Sequence, residues 1–423
     1  MRGKAVWTET CGPETGSVPR TARHTKRLWT TQRSQRRMRL AVLAAADPLN
    51  VRTWSGTPYY MTKALQRRFT DLFPIRNPRP AWFRYLRRAT RKATGERIEL
   101  AWIPSLARWH AGQLVSLLKA ERVNAVLSIG NAPLSAFIAR SLPTIHVSDA
   151  TAPLMRGYYQ EFSRLPKSLA DQAFQLDRAS VRYSRACLYS TEWAANSALR
   201  DYGAESSRIH VIPWGCNIDL EEATDRNRSA AGTVCNLIFI GVDWRRKGGD
   251  IAVQTTNQLV AAGHSVKLHI IGATPDLKTT SNSIVVHGFI NKGTPDGRVI
   301  FHNIMKEAAF LFMPTRQDCS PMVFAEANAY GLPVITTNTG GVSGVITDDV
   351  NGQMLPLDAT PDNYATLIWS IWSDPERYAR LSEASLQKFK QTLNWGSWLA
   401  QAAGIIERAA AEPASSDGPA VSI

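Results

Sequence analysis

Two acids eight residues apart, Asp318 and Glu326, stand in the stretch QDCSPMVFAEANAYGLPVITTNTGG, residues 317–341. AFLFMPT, immediately upstream, reads as a buried strand, and in open parallel sheets a ligand crevice lies beyond the carboxyl ends of the strands. Asp318 falls at that end. Ser320 is a favourable N-cap and Pro321 a favourable first helical residue, so the spacing predicts a helix starting there. Its unpaired amides, from Met322 and Val323 onward, can receive phosphate oxygens. Glu326 follows more than a turn later, among Ala325, Ala327 and Ala329, small side chains that permit close packing or a ligand beside the carboxylate. A carboxylate so placed accepts hydrogen bonds from vicinal hydroxyls such as those of a ribose. Taken singly, Asp318 reads as a turn acid and Glu326 as an exposed helix charge; their joint placement after a strand argues for a site.

The elements that must position these acids repeat a βα pattern twice. MRLAVLAA from Met38, VNAVLSIG, PTIHVSD, RACLYST and IHVIPWG are strand-like, with helical stretches between most of them. NLIFIGV, VKLHIIG, SIVVHGF, AFLFMPT and PVITT restart the pattern. Alternation of this kind means parallel sheets covered by helices on both faces. At 423 residues, two domains are expected. The boundaries read as 38–216 for the first domain and 235–395 for the second. Residues 217–234 form a polar linker, and 396–423 hold a helix end and a disordered tail. Residues 1–37 read either as a disordered basic tail or as a misassigned start upstream of Met38.

The acidic pair and the trailing GLPVITTNTGG resemble the E-x7-E signature of glycosyltransferase family 4, retaining enzymes of the GT-B fold. FIGVDWRRKGGD resembles that family's G-x5-K-G donor-phosphate segment, and VIPWGCNID its approach to the hinge. The resemblance spans most of residues 38–395. It implies an α/β chain of two Rossmann-like doubly wound parallel-sheet domains facing a central cleft, the first on the acceptor side and the second binding the nucleotide sugar. It also implies sugar transfer from a nucleoside diphosphate sugar to a hydroxyl of a glycan or lipid-linked acceptor. Glu326 would then hold the ribose, Asp318 the hydroxyls of the transferred sugar, and Lys247 the diphosphate. Asp318 is one methylene shorter than the commoner Glu. Val242 stands where many members carry an arginine, with Arg245 and Arg246 close by as donor-binding candidates. An H-D pair of that family has its counterpart in PTIHVSD, where Asp149 is favoured over His146 as the site residue. VHGFINK resembles the segment that cradles the base, with Gly288 and Phe289 beside it. Gly56, in the WSGTP loop after the first strand, lets backbone amides approach phosphate or acceptor. Ser320, Met322 and Val323 complete the donor-binding set.

Other signals narrow the class. The five cysteines lack paired spacing, and no HExxH, DxD or Cys/His cluster occurs, so neither a disulfide framework nor a metal or other cofactor is expected beyond the nucleotide-sugar co-substrate. The first residues hold no apolar leader and no run reaches the ~20 residues of a spanning helix, which points to the cytoplasm. The net charge of +15 resides in residues 1–37 and 67–97. Within the latter, PAWFRYLRRATRKATGER, residues 80–97, forms an amphipathic cationic helix on a helical wheel. It can lie on an anionic membrane, rest as a core-packed helix with a solvated face, or receive an anionic acceptor. Nucleic acid is not expected, because no motif for it accompanies the charge. The competing readings are a noncatalytic nucleotide-sugar or polyanion-binding protein and another enzyme on the same fold, such as an epimerase or phosphorylase.

Overall fold

The computed structural model describes residues 38–76, 100–218, 233–276 and 282–411, together with Trp82, Tyr85, Arg88 and Ala89. The expected tail at 1–37, most of the basic segment 80–97, residues 219–232 of the expected linker and residues 412–423 lie outside the described residues.

Two six-stranded sheets are present, and every strand pair in both is parallel. The first contains β1 (Arg39–Ala44), β2 (Asp71–Pro74), β3 (Ala125–Ile129), β4 (Thr144–Ser148), β5 (Ala186–Tyr189) and β6 (Ile209–Val211), in the order β2-β1-β3-β4-β5-β6. The second contains β7 (Cys235–Gly241), β8 (Val266–Gly272), β9 (Ile284–Gly288), β10 (Phe310–Met313), β11 (Val334–Thr337) and β12 (Gly352–Leu355), in the order β12-β11-β10-β7-β8-β9. RLAVLA, AVLSI and FLFM make strands because helices cover both faces of such a sheet, so unbroken β-branched and leucine-rich runs find apolar partners on either side. Leu40, Val42, Leu43, Leu311 and Phe312 are fully buried, each contributing roughly 1.5–3 kcal/mol through that burial.

The order of strands fixes where a ligand can bind. Each sheet reverses its direction of winding once, between β1 and β3 in the first and between β7 and β10 in the second. A crevice opens beyond the carboxyl ends of the strands at such a point. In the second sheet the loop after β7 carries Lys247 and the loop after β10 carries Asp318. In the first, the loop after β1 carries Trp54, Ser55 and Gly56, all with positive φ (45°, 55° and 86°). Trp54 lies against Gly130 beyond β3, where a Cβ would come within 2.6 Å of the indole.

The chain crosses between the sheets twice, and the two crossings pack together. The helix Trp395–Ala411 returns to the first sheet, burying Trp398, Ala402 and Ile406 in the cluster that holds Leu40, Ile129, Ile145 and Leu188. Asn217, expected at the head of a polar linker, is instead buried. Its Nδ2 donates to the Ser55 carbonyl at 2.9 Å and Thr57 Oγ1 at 3.1 Å, and its Oδ1 accepts from Trp395 Nε1 at 3.1 Å. This amide ties the strained WSG loop to both crossings.

Candidate active site

Asp318 and Glu326 arrive by different routes. The helix that carries Glu326 runs Met322–Ala329, with Pro321 rather than Ser320 at the N-cap and no side-chain cap bond. The expected cap at Ser320 is therefore corrected: Pro321 takes the extended conformation (φ −73°, ψ 92°) and the helix starts one residue later. Ala325, Ala327 and Ala329 face the second core, and their small size brings the helix close enough to bury Glu326 to 4% exposure. Met322 packs against the core cluster of the first sheet, so the amino end of this helix lies where the two sheets meet.

Asp318 is buried and forms an ion pair with Lys247 Nζ. Gly340 and Gly341 allow the loop after β11 to lie on the backbone of Asp318 and Cys319. A Cβ on Gly341 would fall within 1.8 Å of the Cys319 carbonyl, and Gly340 takes a φ of 57°. The Gly341 amide donates to the Asp318 carbonyl at 3.0 Å. Both Glu326 oxygens accept from Lys292 Nζ, at 2.7 and 2.8 Å. Each acid is thus matched to its own lysine, Asp318 to Lys247 and Glu326 to Lys292.

The other candidates divide. Asp149, just beyond β4 of the first sheet, is partly buried and close enough to feel Asp318: burial pushes its carboxyl up to about 7, and the charge of Asp318 acts in the same direction. Lys247 and Asp318 thus pair beyond the second sheet, and Asp149 lies within electrostatic reach of Asp318 from the first. Arg246 lies alongside, its guanidinium donating to Asp243 at 3.1 Å and to the Gln317 carbonyl at 2.8 Å. Arg245 is exposed, and its carbonyl accepts from Arg316, which also clamps Asp250 through both carboxylate oxygens at 2.7 and 2.8 Å. Gly288 takes a φ of 66° at the end of β9, and Phe289 stands 76% exposed beyond it. Gly56 is buried at the head of the helix Thr57–Leu65. His146 is buried on β4 with neither ring nitrogen bonded, and burial lowers its pKa.

Two participants escaped the sequence reading. Lys292 closes the VHGFINK segment, but nothing in the spacing links it to Glu326, 34 positions later. Tyr158 Oη accepts from the Asp318 amide at 2.8 Å; the only signal was the aromatic pair in RGYYQEF.

The shift at Asp149 has a measurable sign. The folded carboxyl keeps its proton to about pH 7, whereas an unfolded aspartate releases it near 3.8, so stability falls as pH rises through that window. Asp149→Asn should flatten this slope in melting temperature. Parallel wild-type and variant curves from acid to neutral pH would contradict the burial of this carboxyl against Asp318.

Residues 235–374 match the family model described as glycosyl transferases group 1. The D-inositol 3-phosphate glycosyltransferase of Xylanimonas cellulosilytica is 29% identical over 220 residues, covering 48% of this chain and 52% of its own length. Its counterpart from Nocardiopsis dassonvillei is 25% identical over 233 residues, 51% of this chain and 54% of its own. The chain thus spans about half the length of these curated relatives. Among solved structures, sucrose-phosphate synthase from Thermosynechococcus elongatus superposes with a TM-score of 0.63 at 13% identity, over 88% of this chain and 98% of that one. Anabaena Alr3699/HepE in complex with UDP gives 0.60 at 12% identity, over 88% of this chain and 100% of that one. The fold is GT-B.

Proposed function

We propose, from the match of residues 235–374 to the group 1 glycosyl transferases, that the chain transfers a sugar from a nucleoside diphosphate sugar to a hydroxyl of a glycan or lipid-linked acceptor, with retention of anomeric configuration. The observation that carries this reading is the Lys247–Asp318 ion pair at the switch point of the second sheet, with Glu326, paired to Lys292, on the helix that follows. As the glycosidic bond to the diphosphate breaks, positive charge builds on the sugar carbon and negative charge on the departing phosphate. Lys247 and the free amides at Met322 and Val323 oppose that negative charge from fixed positions. Asp318 accepts from hydroxyls of the sugar, and Glu326 accepts from the ribose through lone pairs that Lys292 leaves free. Arg246, Ser320, Gly288 and Phe289 border the donor, and Gly56 faces the acceptor from the first sheet. The UDP held by Anabaena HepE, and the UDP and glucose held in a second structure of it, accord with a donor of this class. No further cofactor enters the scheme. A panel of UDP-, GDP- and ADP-sugars, read by thermal shift and by product anomer, tests it. Stabilisation by none of them, or inversion of the anomer, would refute it.

No helix among the described residues is long and apolar enough to cross a membrane. Docking on an anionic membrane surface through residues 80–97 fits the exposure of Trp82 and Tyr85, with Trp109 exposed 5.8 Å from Trp82. Replacing Arg87, Arg88 and Arg91 by glutamate should then release the protein from anionic vesicles. Unchanged sedimentation with them would exclude this role.

A further inference from the structure

The helix Ala152–Tyr158 starts in the first sheet's layer and ends on the second. At its start the Ala152 amide donates to Asp177 Oδ2 at 2.8 Å, and that oxygen also accepts from Tyr202 Oη at 2.6 Å. Asp177 and Tyr202 are buried, so this end is fixed. At the other end Tyr158 Oη accepts from the Asp318 amide at 2.8 Å and lies 2.8 Å from Thr339 Oγ1, while Gln317 Nε2 donates to the Tyr158 carbonyl. The ring is held edge-on to Tyr159 at 5.1 Å and tilted against Trp193 at 5.3 Å. Tyr159 repeats the pattern: its hydroxyl accepts from Cys319 Sγ at 3.4 Å, and the Arg246 guanidinium lies 5.7 Å from its ring centroid. Gly340 leaves room for all this, since a Cβ there would stand 2.5 Å from Tyr158 Oη. Residues 317, 318 and 319 are thus each bonded to one of two adjacent tyrosines from the other sheet.

We propose that Tyr158 is a positioning residue: its hydroxyl latches the acidic loop to the first sheet, so that Asp318 is set beside Lys247 only when the two sheets are engaged. The inference rests on the reading of Asp318 and Lys247 as the donor-sugar site and adds to it a coupling between closure and chemistry. Burial keeps the Tyr158 phenol protonated, pushing it up to about 12, so the hydroxyl retains both a proton to give and a lone pair for the Asp318 amide.

Tyr158→Phe keeps the ring against Trp193 and removes only the hydroxyl. Two readouts separate the latch from a general structural role. Hydrogen exchange across residues 316–320 should quicken about tenfold, the worth of one net hydrogen bond, with the rest of the second sheet unchanged. Turnover of the donor identified by the panel should lose about tenfold or more in kcat while its KM stays within about threefold, because the loop is misplaced rather than the nucleotide lost. Thr339→Val should add little to Tyr158→Phe, since both cut the same bond. Unchanged exchange at 316–320 with unchanged kcat overturns the latch. A rise in kcat also overturns it, making the hydroxyl an occupant of the sugar site. A wild type that turned over none of the donors would remove the functional reading, and the exchange result would then decide the latch by itself.

Discussion

Lys247→Ala is expected to lower kcat roughly 100- to 1,000-fold, the range for removing one preorganised donor from developing charge. The lysine sits beyond β7 and its ammonium reaches the Asp318 carboxylate beyond β10, at the switch point where the fold opens a crevice. Its removal acts twice, since the leaving diphosphate loses its fixed cation and the buried Asp318 loses its partner. Lys247→Arg keeps the charge but replaces a compact ammonium with a planar fork, and should recover only part of the rate. Steady-state turnover with the preferred donor, beside a melting curve to confirm folding, provides the check. Wild-type kcat in the alanine variant would remove Lys247 from the mechanism.

Glu326→Ala should abolish detectable turnover at subsaturating donor while circular dichroism shows an intact fold. Each hydrogen bond to a charged group contributes about 1.5–3 kcal/mol, so losing two from a ribose costs roughly 100-fold or more in donor affinity. The fold should survive because Lys292 is 38% exposed and can return to water, whereas the alanines flanking Glu326 keep their packing. Glu326→Gln retains the shape and one acceptor and should fall between. Donor turnover equal to wild type in the alanine variant would remove Glu326 from the site.

The fold was legible where physics repeats itself locally. The apolar runs within 39–44, 125–129 and 310–313 read as strands covered on both faces, and Leu40–Ala44, Ala125–Ile129 and Phe310–Met313 are buried throughout. DLFP and GQML, β2 and β12, were not read as strands. Each is an edge strand of four residues with a single neighbour, so neither needs a long apolar run. The helix at 395–411 showed its periodicity but not its destination, because WGSWLAQAAGII would pack equally well on either sheet.

The candidate site divides in the same way. Asp318, Glu326 and the loop glycines share one short segment, and their spacing carried the inference that they act together. Lys247 came from the segment after β7, and the topology brings it to Asp318. Lys292 and Tyr158 were not legible because each meets its partner only through tertiary packing, across 34 and 160 positions of chain. Ser320 was misread because Pro321 tolerates the extended N-cap conformation as well as the first helical one, and the local sequence does not choose between them.

In the proposed reaction the second sheet grips a diphosphate with Lys247 at its switch point. Calorimetric titration of UDP, GDP and ADP, each against its own nucleoside, on the wild type and Lys247→Ala tests it most directly. At least one diphosphate should bind the wild type tenfold or more tightly than its nucleoside, a gap of about 1.4 kcal/mol, and the variant should lose most of that gap. Equal affinities for every pair in the wild type, or a gap undiminished in the variant, would contradict it.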